Sequence, residues 1–372
     1  MICNMKINIL LPYKEKFDEN KASSVSITVK NNLLHSNYLN EIKIFGQRVE
    51  NPLFKNNFVG FKYSFLSLKS RNKFLAHEML KLIKKDPDKK QLIEIHNRPY
   101  LVKQITKGTG FPISLFFHND PQEMKGSKSI KEREYIIEKC AAVFCVSEFI
   151  KKKFLEGLNK NIQKVHVLYN GVERKLKKFP KKKKEVLFVG RLVPEKGVDL
   201  YVDVIENISN KFLDWKFDLI GSFRLGDDKN EGSFVNNVIK KFKKNSKQTR
   251  FHGFKNQDFV QEKMKSASII VIPSIWNEPY GLVAAEAMSN GIAIIASDVG
   301  GIPEVLKENG ILIKNINKFK LKNELESLMN NSDKIKMLQS LSWNNFEHSS
   351  KNSSKNLDNY RKRILSSCFV NY

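Results

Sequence analysis

Between Ser268 and Ser297 the chain passes from an apolar β-branched run, through a turn holding Pro and Gly, into helix formers, an Asn-Gly stop and a second apolar run. The flanking runs, SIIVIPS (268 to 274) and IAIIAS (292 to 297), are short and apolar throughout. Strands buried on both faces of a parallel sheet read this way. GLVAAEAM between them favours a helix, so the stretch is a strand-helix-strand unit. Such a unit belongs to an α/β domain with helices on both faces of its sheet.

The turn carries the chemistry. From Ser274 to Gly291 the sequence SIWNEPYGLVAAEAMSNG sets Glu278 and Glu286 either side of the junction between loop and helix. Pro279 fixes one φ, Gly281 removes a side chain, and the helix opens with unpaired amides near Gly281 and Leu282. Those amides make an anion site. Glu286, in the second turn, would repel the same anion, so it is suited to accept hydrogen bonds from neutral hydroxyls, which a sugar ring supplies. Taken alone, the pair reads equally well as two solvated glutamates on a surface helix. Asn290-Gly291 ends the helix as a left-handed cap.

At 372 residues the chain is long enough for two domains. Cys3, Cys140, Cys145 and Cys368 form neither a metal-binding spacing nor a disulfide framework, which favours a reducing, cytoplasmic setting. No apolar run approaches the roughly 20 residues that span a bilayer, and MICNMKINILLPY is too short and strand-like for a secretory signal. Any membrane contact is therefore expected to be peripheral. The formal charge of +26 invites an anionic partner, but only ten of the 65 basic residues are Arg, and Asn and Ile are abundant. A+T-rich coding bias produces the same composition. No zinc-finger spacing, RNA-binding aromatic signature or basic zipper is present, so nucleic acid is not an expected partner.

KINILLP (6 to 12) reads as the first strand, followed by a helix near Ser23 to Leu34. The loop between them offers Lys21, Ala22, Ser23 and Ser24 but no glycine pair, so Lys21 and the serine hydroxyls are weak candidates for contacting phosphate. EIKIFG (41 to 46) is a second strand and HEMLKLIKK (77 to 85) is helical. LIEIHNRP (92 to 99) and ISLFFHNDP (113 to 121) each end in His-Asn where a parallel strand reaches its carboxyl edge. Ligands of open α/β sheets bind at that edge. A lone histidine is more often structural, but His96 and His118 at two strand ends point to function, with Asn119 beside the second. Met124 to Lys128 lies in the loop that follows. AVFCVS (142 to 147) is a strand, Ser147 caps the helix SEFIKKKFLEGL, and KVHVLYNG (164 to 171) closes the first half.

ERKLKKFPKKKKE (173 to 185) has no apolar periodicity and reads as a solvated interdomain tether. The second half opens with strand VLFVG (186 to 190), then RLVPE, Lys196-Gly197 and the helix VDLYVDVIENI. This is neither a dinucleotide fingerprint nor a P-loop. Arg191 and Lys196 instead set two positive charges beside a strand end, which suits a diphosphate. FDLIG (217 to 221), TRFHG (249 to 253), SIIVIPS, IAIIAS and GILI (310 to 313) supply the remaining strands of a doubly wound sheet. The residues after Leu341, SWNNFEHSSKNSSKNLDNYRKRIL, read as a terminal helical segment.

EPYGLVAAE, with seven residues between Glu278 and Glu286, resembles the signature of the family 4 retaining glycosyltransferases. FVGRLVPEKGVDL (188 to 200) resembles that family's other donor-site motif, in the family's order, and VSEFIKKKF, VLYNGVE and DVGGIPEVL extend the likeness over most of residues 90 to 345. The resemblance implies the GT-B architecture: two α/β, Rossmann-like domains facing across a cleft. The acceptor-side domain is then 1–172, with 345–372 packing back on it; 173–185 is the linker and 186–344 the nucleotide-sugar domain. It further implies retaining transfer of a hexose-type sugar to a hydroxyl, without a metal, a cofactor or a covalent nucleophile. By the same resemblance His118 lies near the donor sugar and reaction centre, and His96 is a weaker candidate at the cleft wall. The chemistry assigns Glu278 to the sugar hydroxyls, Glu286 to the ribose, and Arg191, Lys196, Gly281 and Leu282 to the diphosphate. Tyr280, Gly221, Phe254 and Ser274 are lesser donor-side candidates; Asn119 and Lys21 are weak acceptor-side ones. The expected partners are a nucleotide sugar, a glycan or glycolipid acceptor and an anionic membrane surface, with surface polysaccharide or lipopolysaccharide synthesis as the setting. Two other readings are an inactive homologue that binds anionic polymers or membranes through its lysines, and a phosphorylase-like transferase. Intact Glu278, Glu286, Arg191 and Lys196 argue against the former, and the lack of a signal for a lysine-bound cofactor against the latter.

Overall fold

The computed structural model describes residues 5–63, 67–88, 90–223, 232–245 and 247–368. The chain divides into two compact units, Met1–Gly171 with Ser350–Tyr372, and Val172–Ser349. Cys3 lies outside the described residues; Cys140 and Cys145 are buried thiols.

The first unit alternates β1 (Lys6–Leu10), α1 (Ser24–Leu33), β2 (Ile42–Gln47), β3 (Phe58–Phe61), α2 (Arg71–Lys85), β4 (Gln91–His96), α3 (Leu101–Gly108), β5 (Ile113–Phe117), α4 (Ile130–Lys139), β6 (Ala142–Cys145), α5 (Glu148–Leu155) and β7 (Val165–Val167). Its sheet has the order β3-β2-β1-β4-β5-β6-β7, and every pairing is parallel. β4, β5 and β6 are buried along their whole length, as strands covered on both faces must be. Ser147 caps α5 by accepting from the Ile150 amide at 3.1 Å. β3 is half exposed at the sheet edge, and its run FVGF is only four residues long and broken by a glycine. α2 starts six residues earlier than its apolar stripe suggests, at Arg71.

The second unit holds β8 (Lys183–Val189), α6 (Val198–Ile208), β9 (Lys216–Ile220), α7 (Ser233–Phe242), β10 (Thr249–Gly253), α8 (Gln257–Ser266), β11 (Ala267–Ile272), α9 (Leu282–Ser289), β12 (Ala293–Ser297), α10 (Ile302–Leu306), β13 (Ile311–Ile313), α11 (Lys318–Met329) and α12 (Ser332–Asn344). The order is β10-β9-β8-β11-β12-β13, again parallel throughout. Strand order reverses between β1 and β4 in the first sheet and between β8 and β11 in the second. Chains leave those neighbouring strands in opposite directions, which opens a crevice at their carboxyl ends.

One expectation fails here. The charged run 173–185 is not a solvated tether, because its last three residues already belong to β8. Lys182 donates to Met264 O (3.2 Å), Lys265 O (3.1 Å) and Asn290 O (2.7 Å), so its ammonium caps the carboxyl ends of α8 and α9. Phe179 meets Trp343 edge to face, and the Arg174 guanidinium stacks 4.2 Å from the Trp343 ring centre. Lys182, Phe179 and Arg174 thus dock on helix ends and on Trp343, contacts that a count of charges conceals. The tail is helical, as expected, but interrupted. α12 ends at Asn344 and α13 (Ser350–Cys368) starts afresh after a break in which His348 O accepts from the Val172 amide at 2.9 Å.

α13 returns to the first unit and buries Arg361. Its Nε and Nη2 each lie 2.8 Å from a Glu94 oxygen, and Nη1 lies 3.1 Å from Asp358 Oδ1. Among the described residues no helix is long and apolar enough to cross a membrane.

Candidate functional site

The reversal between β8 and β11 brings the two donor-side motifs together. Gly190 to Gly197 follows β8 and Pro273 to Gly281 follows β11. The Ile275 amide donates to Glu195 O at 3.0 Å, and a Cβ on Gly197 would lie 2.0 Å from Pro273 O. With φ at +63°, Gly197 is both the left-handed start of α6 and the point where only a bare Cα fits. The consequence is at the next side chain: the Lys196 ammonium pairs with Glu278 Oε1, which also accepts from Ser274 Oγ at 2.6 Å. Ser274 is thereby committed to Glu278 rather than presented to a nucleotide. Trp276 sits beneath the ammonium, 5.7 Å from ring centre to nitrogen.

The Glu278 loop is held from behind by a glycine pair. The Gly301 amide donates to Glu278 O at 2.7 Å. A Cβ on Gly300 would lie 2.1 Å from that same oxygen, at a φ of +57°. DVGGIPEVL contributes to the site through this backbone contact, which nothing in its composition announces. Gly221, at the end of β9, has φ at +150° and packs its Cα against Gly190 O, where a Cβ would come to 1.8 Å. Its part is to let the β8 and β9 ends approach. Phe254 follows β10 at the same edge and is half-buried.

α9 begins at Gly281, whose φ of +98° no other residue adopts without strain. The Gly281 carbonyl accepts from the Ala284 and Ala285 amides. The Leu282 and Val283 amides have no acceptor among the described residues, which leaves the positive end of the helix open. Tyr280 is buried, its ring edge-on to His348 at 5.8 Å. Arg191 is exposed and has no acidic partner among the described residues. Glu286 is 6% exposed, and burial pushes its carboxyl up to about 7, opposed by a hydrogen bond from Gln257. Gln257 Nε2 donates to Glu286 Oε1 at 2.7 Å. Gln257 was not a sequence candidate; its place in the first turn of α8, one helix away, is visible only in three dimensions.

In the first unit the two histidines at the strand ends touch. His96 Nδ1 lies 2.8 Å from His118 Nε2, with the rings stacked at 5.1 Å, and His96 stacks on Phe116 at 4.4 Å. His96 Nε2 is buried without a partner. An orphaned N–H is the costlier group to bury, so the proton of His96 belongs on Nδ1, donating to His118. That leaves His118 its Nδ1–H to present outward. Burial pulls His118 down to about 4; burial, then the neighbouring His118 and Arg361, pull His96 well below its usual range. The pair is neutral at ordinary pH. Asn97, held at φ +52°, accepts from the His118 amide through Oδ1 at 2.8 Å, whereas Asn119 is exposed. Asn97, not Asn119, positions the histidine.

The loop after β1 does not form a phosphate cradle. Ser23, the N-cap of α1, donates its hydroxyl to Glu15, so a carboxylate occupies the place an anion would take. Burial raises the Glu15 carboxyl, against the Ser23 hydrogen bond and the nearby Arg98. Lys21 is exposed. Among the described residues no group of three or more His, Cys, Asp or Glu is placed to hold a metal.

Two all-parallel sheets, the second with its site residues at the reversal of strand order, define a GT-B protein. Solved structures share that fold: sucrose-phosphate synthase of Thermosynechococcus elongatus (TM-score 0.76, 16% identity, covering 98% of this chain and 100% of that one) and Anabaena HepE in complex with UDP (0.74, 16%, 96% and 100%). Residues 40–176 match Glycosyltransferase Family 4 and residues 171–347 match Glycosyl transferases group 1. The chain belongs to the family 4 glycosyltransferases. An uncharacterized glycosyltransferase of Methanocaldococcus jannaschii is 34% identical over 215 residues, 56% of either chain. The first three curated relatives are matched over 56%, 50% and 60% of their own length.

Proposed function

We propose that this chain transfers a sugar from a nucleoside-diphosphate donor to a hydroxyl of a glycan or glycolipid, with retention of anomeric configuration. The observation that carries the reading is the Lys196, Glu278 and Ser274 cluster beside the open amino end of α9. The free protein stores a cation and a carboxylate as one pair, and a nucleotide sugar has a use for both. Its diphosphate draws Lys196, Arg191 and the Leu282 and Val283 amides; its sugar hydroxyls take the oxygens of Glu278. Glu286, with one oxygen held by Gln257, accepts from the ribose hydroxyls through the other. His118, through its outward Nδ1–H, binds the donor sugar near its anomeric carbon. The bond from the anomeric carbon to the diphosphate oxygen breaks, the acceptor oxygen bonds to that carbon on the same face, and the acceptor's proton passes to the departing phosphate. Charge grows on the diphosphate as this happens, so fixed cations and amides act mainly on the transition state.

Those groups stand in for a metal in this proposal, and no cofactor is required. We place the enzyme in the cytoplasm, peripheral on the inner face of the membrane, because 65 basic residues against 39 acidic ones favour an anionic surface. Surface polysaccharide or lipopolysaccharide synthesis is the setting in which such a surface and such an acceptor coincide. The test is calorimetric binding of a panel of nucleotide sugars, followed by transfer assays with and without EDTA. Uridine diphosphate sugars come first, since HepE was solved with UDP and with UDP-glucose bound. Binding of a donor and chelator-resistant transfer support the reading. No binding across the panel, or activity that EDTA abolishes and manganese restores, contradicts it.

A further inference from the structure

In the first unit an open recess of about 610 Å³ lies where β1, β2 and β3 end. Tyr13 follows β1, Arg48 and Glu50 follow β2, and Lys62 and Tyr63 follow β3; all five line it. The volume is in the range of small-molecule sites, roughly 300 to 1,000 Å³. We propose that this recess is an acceptor subsite for an anionic sugar, one bearing a carboxylate or a phosphate. Calling it an acceptor subsite rests on the transferase reading above; the ligand chemistry does not.

The aromatic wall is fixed in place. Tyr13 and Tyr63 meet edge to face at 5.9 Å, and the Arg71 guanidinium lies 5.2 Å and 5.8 Å from their ring centres. Phe74 backs Tyr63 at 5.3 Å, and the Tyr63 hydroxyl donates to Lys69 O at 2.9 Å. Asn72 Oδ1 accepts from the Tyr13 amide at 2.7 Å. The two braced tyrosines line the recess with ring surface against which the C–H side of a pyranose can pack. Around them the charge is one-sided. Arg48, Lys62 and Arg71 have no acidic partner among the described residues, and Glu50 is the one acid among the lining residues. Guanidinium groups match carboxylate and phosphate with paired hydrogen bonds. A neutral sugar would use the rings and leave the cations idle.

The sheet order places the recess usefully. From β2 to β5, which bears His118 at its end, the order runs β2-β1-β4-β5, three strand spacings or roughly 14 Å. A ring held in the recess is therefore not the ring that receives the new sugar; the acceptor is an oligosaccharide whose charged unit is recognised at a distance from the reacting hydroxyl.

The test is saturation-transfer NMR on the full chain without donor, observing methyl glucuronide, glucose 6-phosphate and methyl glucoside, with inorganic phosphate, which has no carbon-bound proton to observe, added as a competitor. Transfer to one or both anionic sugars, with methyl glucoside silent, is expected, and which of the two responds tells carboxylate from phosphate. Arg48→Gln and Arg71→Gln, both at exposed positions, should each weaken that binding at least fivefold, while Gly110→Ala, whose added Cβ meets open space, leaves it unchanged. The proposal is overturned if neither anionic sugar binds, if methyl glucoside binds as well, if both arginine variants bind normally, or if inorganic phosphate binds as tightly as glucose 6-phosphate. Donor calorimetry on the same samples separates the two readings. Sugar binding without donor binding removes the transferase reading and keeps the recess; the reverse removes the recess alone.

Discussion

Arg361 holds both oxygens of Glu94 at 2.8 Å, and each side chain is 1% exposed. Glu94 lies on β4 two residues before His96, so the returning helix α13 is fastened to the strand that positions the histidine pair. Removing one partner leaves an uncompensated buried charge, which typically costs about 3 to 5 kcal/mol. Arg361→Met should therefore lower the urea midpoint sharply, and Arg361→Met with Glu94→Leu should recover a large part of the loss. A double variant as unstable as the single one would show that packing, not the ion pair, holds the helix.

The histidine pair makes stability depend on pH. His118 is shifted from 6.5 to about 4 by burial, so between those values the unfolded chain binds the proton and the native chain does not. A depressed histidine contributes stability that is complete above about 6.5 and is lost as pH falls towards 4. Over two pH units that is roughly 2 to 3 kcal/mol. The difference between urea stabilities at pH 6.5 and 4.5 should accordingly shrink in His118→Asn. An unchanged difference would assign the acid sensitivity to other groups.

Glu286 runs the other way. Its folded value of about 7 lies above the unfolded 4.5, so the native chain holds its proton through that window. The stability this gives is present below 4.5 and lost as pH rises through 7. If the carboxylate is what receives the ribose, donor affinity should rise as pH increases from 6 to 8, and Glu286→Gln should flatten the profile. Gln257→Ala removes the hydrogen bond that holds the carboxyl down, so the rise should move to higher pH. A profile identical in all three proteins would detach Glu286 from the nucleotide.

Gly300 tests the backbone contact behind Glu278. Gly300→Ala introduces a Cβ 2.1 Å from Glu278 O at a φ of +57°; the left-handed conformation alone costs roughly 1 to 2 kcal/mol. The loop has to shift, and donor affinity should fall at least tenfold. Gly110→Ala, with open space around its Cβ, serves as the control. Equal donor affinity in both variants would mean that the glycine pair does not set the Glu278 geometry.

Much of this was legible in the sequence because parallel strands covered on both faces leave continuous apolar runs, as in VLFVG, SIIVIPS and IAIIAS. The order of strand, turn and helix then put Lys196 and Glu278 at strand ends. What stayed hidden depends on partners distant along the chain. β3 is an edge strand whose run, FVGF, is four residues long and holds a glycine. Gln257 and Asn97 look like loop residues until their side chains are seen to reach Glu286 and the His118 amide. The charged run before β8 misled because Lys182 satisfies three helix carbonyls rather than water. Ser23 pointed to phosphate, and only the fold shows Glu15 already bound to it.

The most direct test of the account compares two ligands in Glu278→Gln, using calorimetry with a nucleotide sugar that the wild type binds and with its free nucleoside diphosphate. Glu278 is assigned to the sugar, and hydrogen bonds to a charged acceptor are worth about 1.5 to 3 kcal/mol, roughly tenfold or more in affinity. With Lys196 released from its carboxylate partner, the variant should bind the free diphosphate at least as tightly as wild type while sugar-donor affinity falls at least tenfold and transfer collapses. Equal losses for the two ligands, or undiminished transfer, would contradict it.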